Sequence, residues 1–196
     1  MAKLLYQGHG SMRLISEGGT VVYIDPFAGE GYDRPADLIL VTHQHHDHNQ
    51  IQLPPHADSC RIIQNMDALG EDGYRSFLAG DIEVEATQAY NEKHPKSECV
   101  GYLVRVDGVL LYFSGDTART GQMETLAERK IDYAFLPIDG FYTMDTGEAV
   151  ECAELIRAKH TIPVHMAPGK LFDPQKAAGF VTQGAMIVEP GQEIRL

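Results

Sequence analysis

Long apolar runs are missing from this chain. None approaches the roughly twenty residues a helix needs to cross a bilayer, and the opening MAKLLYQ has only three apolar residues in a row before glutamine, too few for a signal-peptide core. No leader and no membrane anchorage are expected, and the expected location is cytoplasmic. Positive charge is also scarce: 16 Lys and Arg stand against 28 Asp and Glu, a net charge of −12. Gripping a nucleic acid backbone or an anionic membrane takes a surplus of cations, so neither partner is expected, while a small ligand at a locally cationic site remains open. Cysteine is limited to Cys60, Cys99 and Cys152, odd in number, widely spaced and without a C-x-x-C pair. That excludes a disulfide framework or zinc knuckle, and all three are expected to be buried as small hydrophobes. Low-complexity tracts and a Pro/Gly/Ser linker are lacking as well, so residues 1–196 are expected to fold as a single domain. The oligomeric state is left open.

What is present is a series of short apolar segments separated by turns. Met12–Ile15 and Thr20–Asp25 flank Glu17-Gly18-Gly19 and read as a hairpin; Val100–Val106 and Val109–Ser114 flank Asp107-Gly108, the strongest hairpin signal in the chain. Asp37–Thr42 is a nearly continuous apolar strand, of the kind buried on both faces. Cys60–Gln64 and Ile82–Thr87 are further strands. Helices are expected over Gly121–Lys130, from Asp145 through the apolar face Ala149, Cys152, Ala153, Ile156 until Pro163, and from Asp173-Pro174 to about Val181. An internal echo pairs GGTVVYID, ending at Asp25, with DGVLLYFSGD, ending at Asp116. Two β-rich halves, each with helices on one side, would make a four-layer αββα sandwich.

Residues 42–49 read THQHHDHN, placing four histidines and an aspartate within six positions directly after the strand Leu38–Val41. Imidazole and carboxylate are ligands for borderline metals. In an extended segment alternate side chains share a direction, so His43 and His45 reach one point while Gln44 and His46 face elsewhere. Where the chain turns, Asp47 and His48 swing round to a second point. A purification tag would sit at a terminus, not behind a buried strand.

The spacing H-x-H-x-D-H resembles the signature of the metallo-β-lactamase superfamily. Other pieces of that pattern follow in order: His94 in NEKHPKS, Asp116 in SGDTA, His165 in IPVHMAP, and the early strand-end aspartate Asp25 in YIDPF. The resemblance spans nearly the whole chain and needs five separated motifs to agree. It implies an α+β metallo-β-lactamase-like sandwich, with His43, His45 and His94 on one metal, Asp47, His48 and His165 on a second, and Asp116 bridging. His46 is left without a ligand role. Two divalent ions outweigh the ligand carboxylates and a bridging hydroxide, giving a cationic pocket that attracts anionic or strongly polarised groups. They also bring the pKa of bound water down toward about 7. Without a thiol in the cluster the donors suit zinc, with manganese or iron as alternatives.

Supporting residues carry two readings each. Asp25 is either a partner behind a ligand histidine or a turn residue before Pro26. His9, in QGHGSM, lies near the metals as a substrate or supporting group, or is a satisfied histidine at a strand edge. Tyr142, in PIDGFYTMD, either donates to an oxyanion or packs in the core. Lys170 meets a substrate phosphate or carboxylate, or is solvated. His56 and His160 read as surface or helix-end residues.

The expectation is a dinuclear hydrolase acting on an ester, lactone, amide or phosphodiester, with the leaving group protonated through water or Asp47. It is most similar to the short metal-dependent hydrolases of the superfamily, some akin to sugar-phosphate lactonases. A mononuclear iron dioxygenase and a non-catalytic metal-binding module are the alternatives. A secreted antibiotic-degrading lactamase does not fit the absent leader, a tRNA-processing nuclease does not fit the acidic charge, and a flavin-linked relative does not fit the length. Because His46 has no assigned ligand role, His46→Ala is expected to retain full metal content by elemental analysis; loss of a metal would overturn this choice of ligands.

Overall fold

A computed structural model describes residues 1–196. Strands β1 (Lys3–Gly8), β2 (Ser11–Ile15) and β3 (Val21–Ile24) form an antiparallel meander, which β4 (Ala36–Leu40) and β5 (His56–Ile63) extend in parallel. After a small hairpin of β6 (Leu69–Gly70) and β7 (Gly73–Tyr74) comes a second sheet. There β8 (Ser76–Ala79), β9 (Ile82–Gln88), β10 (Val100–Val106) and β11 (Val109–Phe113) run antiparallel, and β12 (Tyr133–Pro137) and β13 (His160–Val164) add in parallel. The last strand, β14 (Glu193–Arg195), returns to pair with β1. Helices are α1 (Asn65–Ala68), α2 (Met123–Leu126), α3 (Thr146–Ile156) and α4 (Pro174–Gly179).

The echo in the sequence marks equivalent places. Both β3 and β11 are the strands at which a meander gives way to parallel pairing. Parallel neighbours send their carboxyl ends to one edge, where α/β folds commonly place ligands. Asp25 follows β3, His43 follows β4, Asp116 follows β11, Asp139 follows β12 and His165 follows β13.

Side-chain alternation builds the core between the sheets. On β3, Val22 and Ile24 face inward to meet Val104, Leu111, Phe113 and Phe135 of the second sheet, while Val21 and Tyr23 face outward. Helices α2, α3 and α4 cover the outer face of the second sheet through Met123, Leu126, Ala149, Ile156 and Ala177. On the first sheet the outer layer is reduced to turns carrying Tyr32 and Ile51. No helix is long and apolar enough to cross a membrane.

Both expected hairpins form. Asp107 (φ 48°) and Gly108 (φ 81°) have positive φ at both central positions, as a type I′ turn requires. Helix α3 starts where its cap predicts: the Asp145 carboxylate accepts from Glu148 N at 2.8 Å. The Glu148 carboxylate turns away to accept from Arg119 N, so the capping box is half made. This helix stops at left-handed Arg157, before Pro163 is reached. Gly121–Lys130 proves shorter than expected, one turn of α2 and a 3-10 turn over Ala127–Arg129. Lys130 turns left-handed there, and Asp132 N bonds to Leu110 O, so the chain must already enter the sheet. His160 opens β13 and stacks on Tyr133 rather than closing a helix, and His56 opens β5. Cys99 and Cys152 are buried as expected, but Cys60 is partly exposed on the edge strand β5.

The two sheets are bolted together beside the edge that carries the histidines. Tyr102 on β10 donates its hydroxyl to Val41 O at 3.0 Å, and Val100 N donates to Thr42 O at 3.0 Å. Removing a buried donor strands its acceptor at a cost of about 1–3 kcal/mol. Tyr102→Phe is expected to lower unfolding free energy by about that amount, measured by urea denaturation.

Candidate metal centre

Local structure after β4 sorts the THQHHDHN side chains. Asp25 sits in the left-handed region (φ 44°), its N–H held by Leu40 O at 2.9 Å. Its carboxylate accepts from Thr42 N and Thr42 Oγ1, both at 2.7 Å, and from His48 Nδ1 at 2.8 Å. A turn closed by His48 N to His45 O brings His48 back beside His43, with ring centroids 4.2 Å apart. His46 points the other way, exposed and edge-on to Phe27. Gly10 makes room for this packing, because a Cβ there would lie 3.1 Å from His48 Cε1.

All seven side chains expected to hold metal converge. The Asp116 carboxylate, 3% exposed, lies 3.3 Å from His165 Nε2, 3.4 Å from His94 Nε2, 3.5 Å from His48 Nε2 and 3.9 Å from His43 Nε2. His45 Nδ1 stands 3.2 Å from His94 Nε2. Asp47 Oδ2 lies 3.8 Å from His165 Nε2 and 3.1 Å from His9 Nε2. Two ligand-like groupings follow, His43/His45/His94 and His9/Asp47/His48/His165, and His43/His48/Asp116 joins them. Asp116 gets its position from the tight SGD turn: Gly115 has φ 65°, and a Cβ on it would meet Val100 O at 2.8 Å.

Five of the six rings, all but His45, are oriented from behind by an acceptor at Nδ1. For His48 it is Asp25; for His43, Thr42 Oγ1 at 3.0 Å, whose own proton goes to Asp25. His94 faces Asn91 Oδ1 at 3.0 Å, His9 faces Lys170 O at 3.0 Å, and His165 faces Asp139 Oδ2 at 3.1 Å, though off the axis of a well-formed hydrogen bond. An acceptor there keeps the proton on Nδ1 and presents the Nε2 lone pair to the site. The buried Nε2 atoms of His43, His48 and His165 have no hydrogen-bond partner. Unpartnered Nε2 atoms around a buried carboxylate fit a divalent cation, to which each could turn a lone pair once its ring is neutral.

Charge tells the same story. Burial, reinforced by neighbouring His48, holds His43 well below its usual range, and burial lowers His94. Burial also works against protonating His48 and His165, but the carboxylates win. Asp116 and Asp25 carry His48 well up; Asp116, Asp139 and Asp47 carry His165 up to about 9. Asp116 is held far below the carboxylate range against its own burial, chiefly by His165 and His48. The surrounding carboxylates thus favour the protonated forms of His48 and His165.

Of the residues with two readings, Asp25 holds His48 and Thr42, so it is more than a turn residue. His9 is buried in the cluster at positive φ (57°), its ring centroid 3.8 Å from that of His165. Tyr142 is 42% exposed, so the core-packing reading fails; its ring lies edge-on to Phe141 at the rim. The Lys170 ammonium is exposed and 3.7 Å from Asp173, and only its carbonyl reaches the cluster. Asp139, Asn91 and Thr42 were not singled out from the sequence. A signal existed for Asp139, since FLPID repeats the strand-then-aspartate pattern of VYID; its Oδ1 gathers the N–H groups of Phe141, Tyr142 and Thr143.

A family model described as "Beta-lactamase superfamily domain" matches residues 3–165, and the chain belongs to that superfamily. Its relatives include the "UPF0173 metal-dependent hydrolase" proteins of Geobacillus sp. (strain WCH70), 30% identical over 99% of this chain and 100% of the relative, and of Thermococcus kodakarensis, 30% identical over the full length of both. Among solved structures, Igni18, a metallo hydrolase from Ignicoccus hospitalis, shares the fold with a TM-score of 0.73, covering 98% of this chain and 97% of that one at 23% identity.

Metal ligation needs neutral imidazoles, so a bound cation must displace the protons on His48 and His165. Metal binding at pH 7 is expected to release protons, and affinity to climb as pH rises toward about 9, where His165 loses its own. Calorimetric titration in buffers of different ionisation enthalpy measures the release; none at pH 7 would contradict this charge assignment.

Proposed function

We propose that this chain is a hydrolase working through two divalent ions, one held by His43, His45 and His94, the other by Asp47, His48 and His165, with Asp116 between them. The observation that carries the reading is the set of buried, partnerless Nε2 atoms of His43, His48 and His165 facing the Asp116 carboxylate. When bound, such ions acidify water to a nucleophile near neutral pH and polarise the oxygen under attack. Nitrogen and oxygen donors suit zinc, with manganese or iron as alternatives. Burial pushes the nearby Cys99 thiol up to about 12, and Cys99 is in none of the ligand-like groupings.

The chain's own groups orient and exclude. Asp25, Thr42, Asn91 and Asp139 fix the rings, and the packed sheets keep water from their rear faces. The front is open at His45 and Asp47, which are exposed and half-buried respectively. His9 holds Asp47 in place. Hydrolysis must deliver a proton to the leaving group. The Asp47 carboxyl is held below the carboxylate range by His165 and His9, against burial, which favours a water molecule over Asp47 as the carrier. Tyr142, whose hydroxyl has no partner in the protein, can donate to substrate at the rim.

A net cationic pocket in a chain of charge −12 supports a small anionic or strongly polarised substrate, with an ester, lactone or phosphodiester centre, over nucleic acid or membrane. Free thiols at Cys60, Cys99 and Cys152 agree with the reducing cytoplasm. In Asp116→Ala one metal equivalent per chain is expected to be lost, and turnover of the best substrate from a panel of chromogenic phosphodiesters, lactones and thioesters to fall by more than about a hundredfold. Unchanged metal content by elemental analysis would refute the bridging role.

A further inference from the structure

We propose that Lys93 and Lys96, which bracket His94, form a subsite for an anionic group, a carboxylate or phosphate, that the substrate carries away from the bond being hydrolysed. The inference rests on the hydrolase reading above and adds to it the chemistry that selects the substrate.

Eight of the sixteen Lys and Arg side chains pair with carboxylates, as expected of an acidic surface. Lys93 and Lys96 do not, although Glu92 and Glu98 are close in sequence. Aromatic faces hold them instead. Lys93 Nζ lies 3.5 Å from the Phe141 ring centroid and 4.9 Å from that of Tyr142, and Lys96 Nζ lies 5.4 Å from that of Tyr90. Every cation–π contact in the chain belongs to these two lysines. An aromatic face positions an ammonium without neutralising it, so the charge stays available to a ligand.

Lys93 also donates to Phe141 O, which uses one of its three N–H groups and leaves two. It lines a cavity of about 330 Å³ together with His43, His45, His94 and Met66. The histidines proposed for the first metal and Lys93 thus line one space, large enough for a small ligand, and Lys96 stands outside that lining as the outer charge of the pair. Glu98, the one carboxylate lining it, pairs with neither lysine, so an incoming anion displaces no internal partner. Met66, 58% exposed, adds an apolar side to the cavity, and Phe141, 61% exposed, lies against the Lys93 ammonium. A substrate with an apolar body and an anionic end would place its reacting bond at the histidines and its charge at Lys93.

The test uses a matched pair of chromogenic esters, identical except that one bears a free carboxylate and the other its methyl ester, with metal-loaded protein. The ratio of kcat/KM for the acid to kcat/KM for the methyl ester is expected to fall about tenfold in Lys93→Met and further in Lys93→Met/Lys96→Met. Lys93→Arg keeps it, and added salt erodes it in the parent. Because each ratio is taken within one variant, general damage cancels; a ratio the same in parent and double variant overturns the subsite. If the parent turns over neither ester, it is the choice of scissile bond that fails. The subsite is then read from titration of metal-free protein with inorganic phosphate, followed by 31P line broadening: weaker binding in the double variant supports it, and equal binding overturns it.

Discussion

A buried carboxylate ringed by imidazoles governs this molecule. Asp116 lies in the floor of the site with four imidazole Nε2 atoms around it, and each of those rings has its other nitrogen committed to an acceptor behind. Such a cluster is costly to assemble, since its imidazoles and its carboxylate are taken out of water together. Backbone strain adds to the cost. His9, Asp25 and His165 account for three of the six non-glycine residues at positive φ. A core running between two six-stranded sheets holds them there.

The two halves of the fold divide the work. The first sheet supplies Asp25 and the whole of THQHHDHN from the ends of two adjacent parallel strands; the second supplies His94, Asp116, Asp139 and His165. Within the second half the supports are short and polar. Asn91 orients His94 and donates to Tyr142 O at 2.9 Å, while Asp139 faces His165 and caps the turn that carries Phe141 and Tyr142. One loop, residues 139–144, therefore touches the supports of both metal groupings and also forms part of the substrate rim. Recognition at the rim and geometry at the centre share the same backbone.

Reaction class and substrate choice are set at different depths. The centre is built from imidazoles and carboxylates, and the function proposed for it is to hold metal that would activate water. The proposed rim is built from Lys93 and Met66, which line the cavity, and from Phe141 and Tyr142, whose rings lie against the Lys93 ammonium. A family that keeps the first and varies the second can serve many substrates.

Much of this was legible in the sequence. Ligand-bearing residue types are few, and the spacing in THQHHDHN separated His43, His45, Asp47 and His48 from His46, while His94, Asp116 and His165 were nominated by the resemblance to the metallo-β-lactamase superfamily; all seven lie in the cluster, together with His9. Hairpins and helix caps were readable because the Asp107-Gly108 turn and the Asp145 cap act over neighbouring residues. Length of the helix after Gly121 was not, because its end is dictated by the pairing of Asp132 with β11 rather than by any local stop signal. The roles of Thr42, Asn91 and Asp139 were also hidden: a threonine, an asparagine and a turn aspartate are commonplace until folding brings each to the back of a particular ring. The sequence by itself determined which atoms are available to hold metal, since chemistry belongs to residue type. Only the tertiary structure decided which nitrogen of each histidine faces inward, and which lysines keep their charge, because hydrogen bonds and ion pairs between distant segments exist only once the chain has packed.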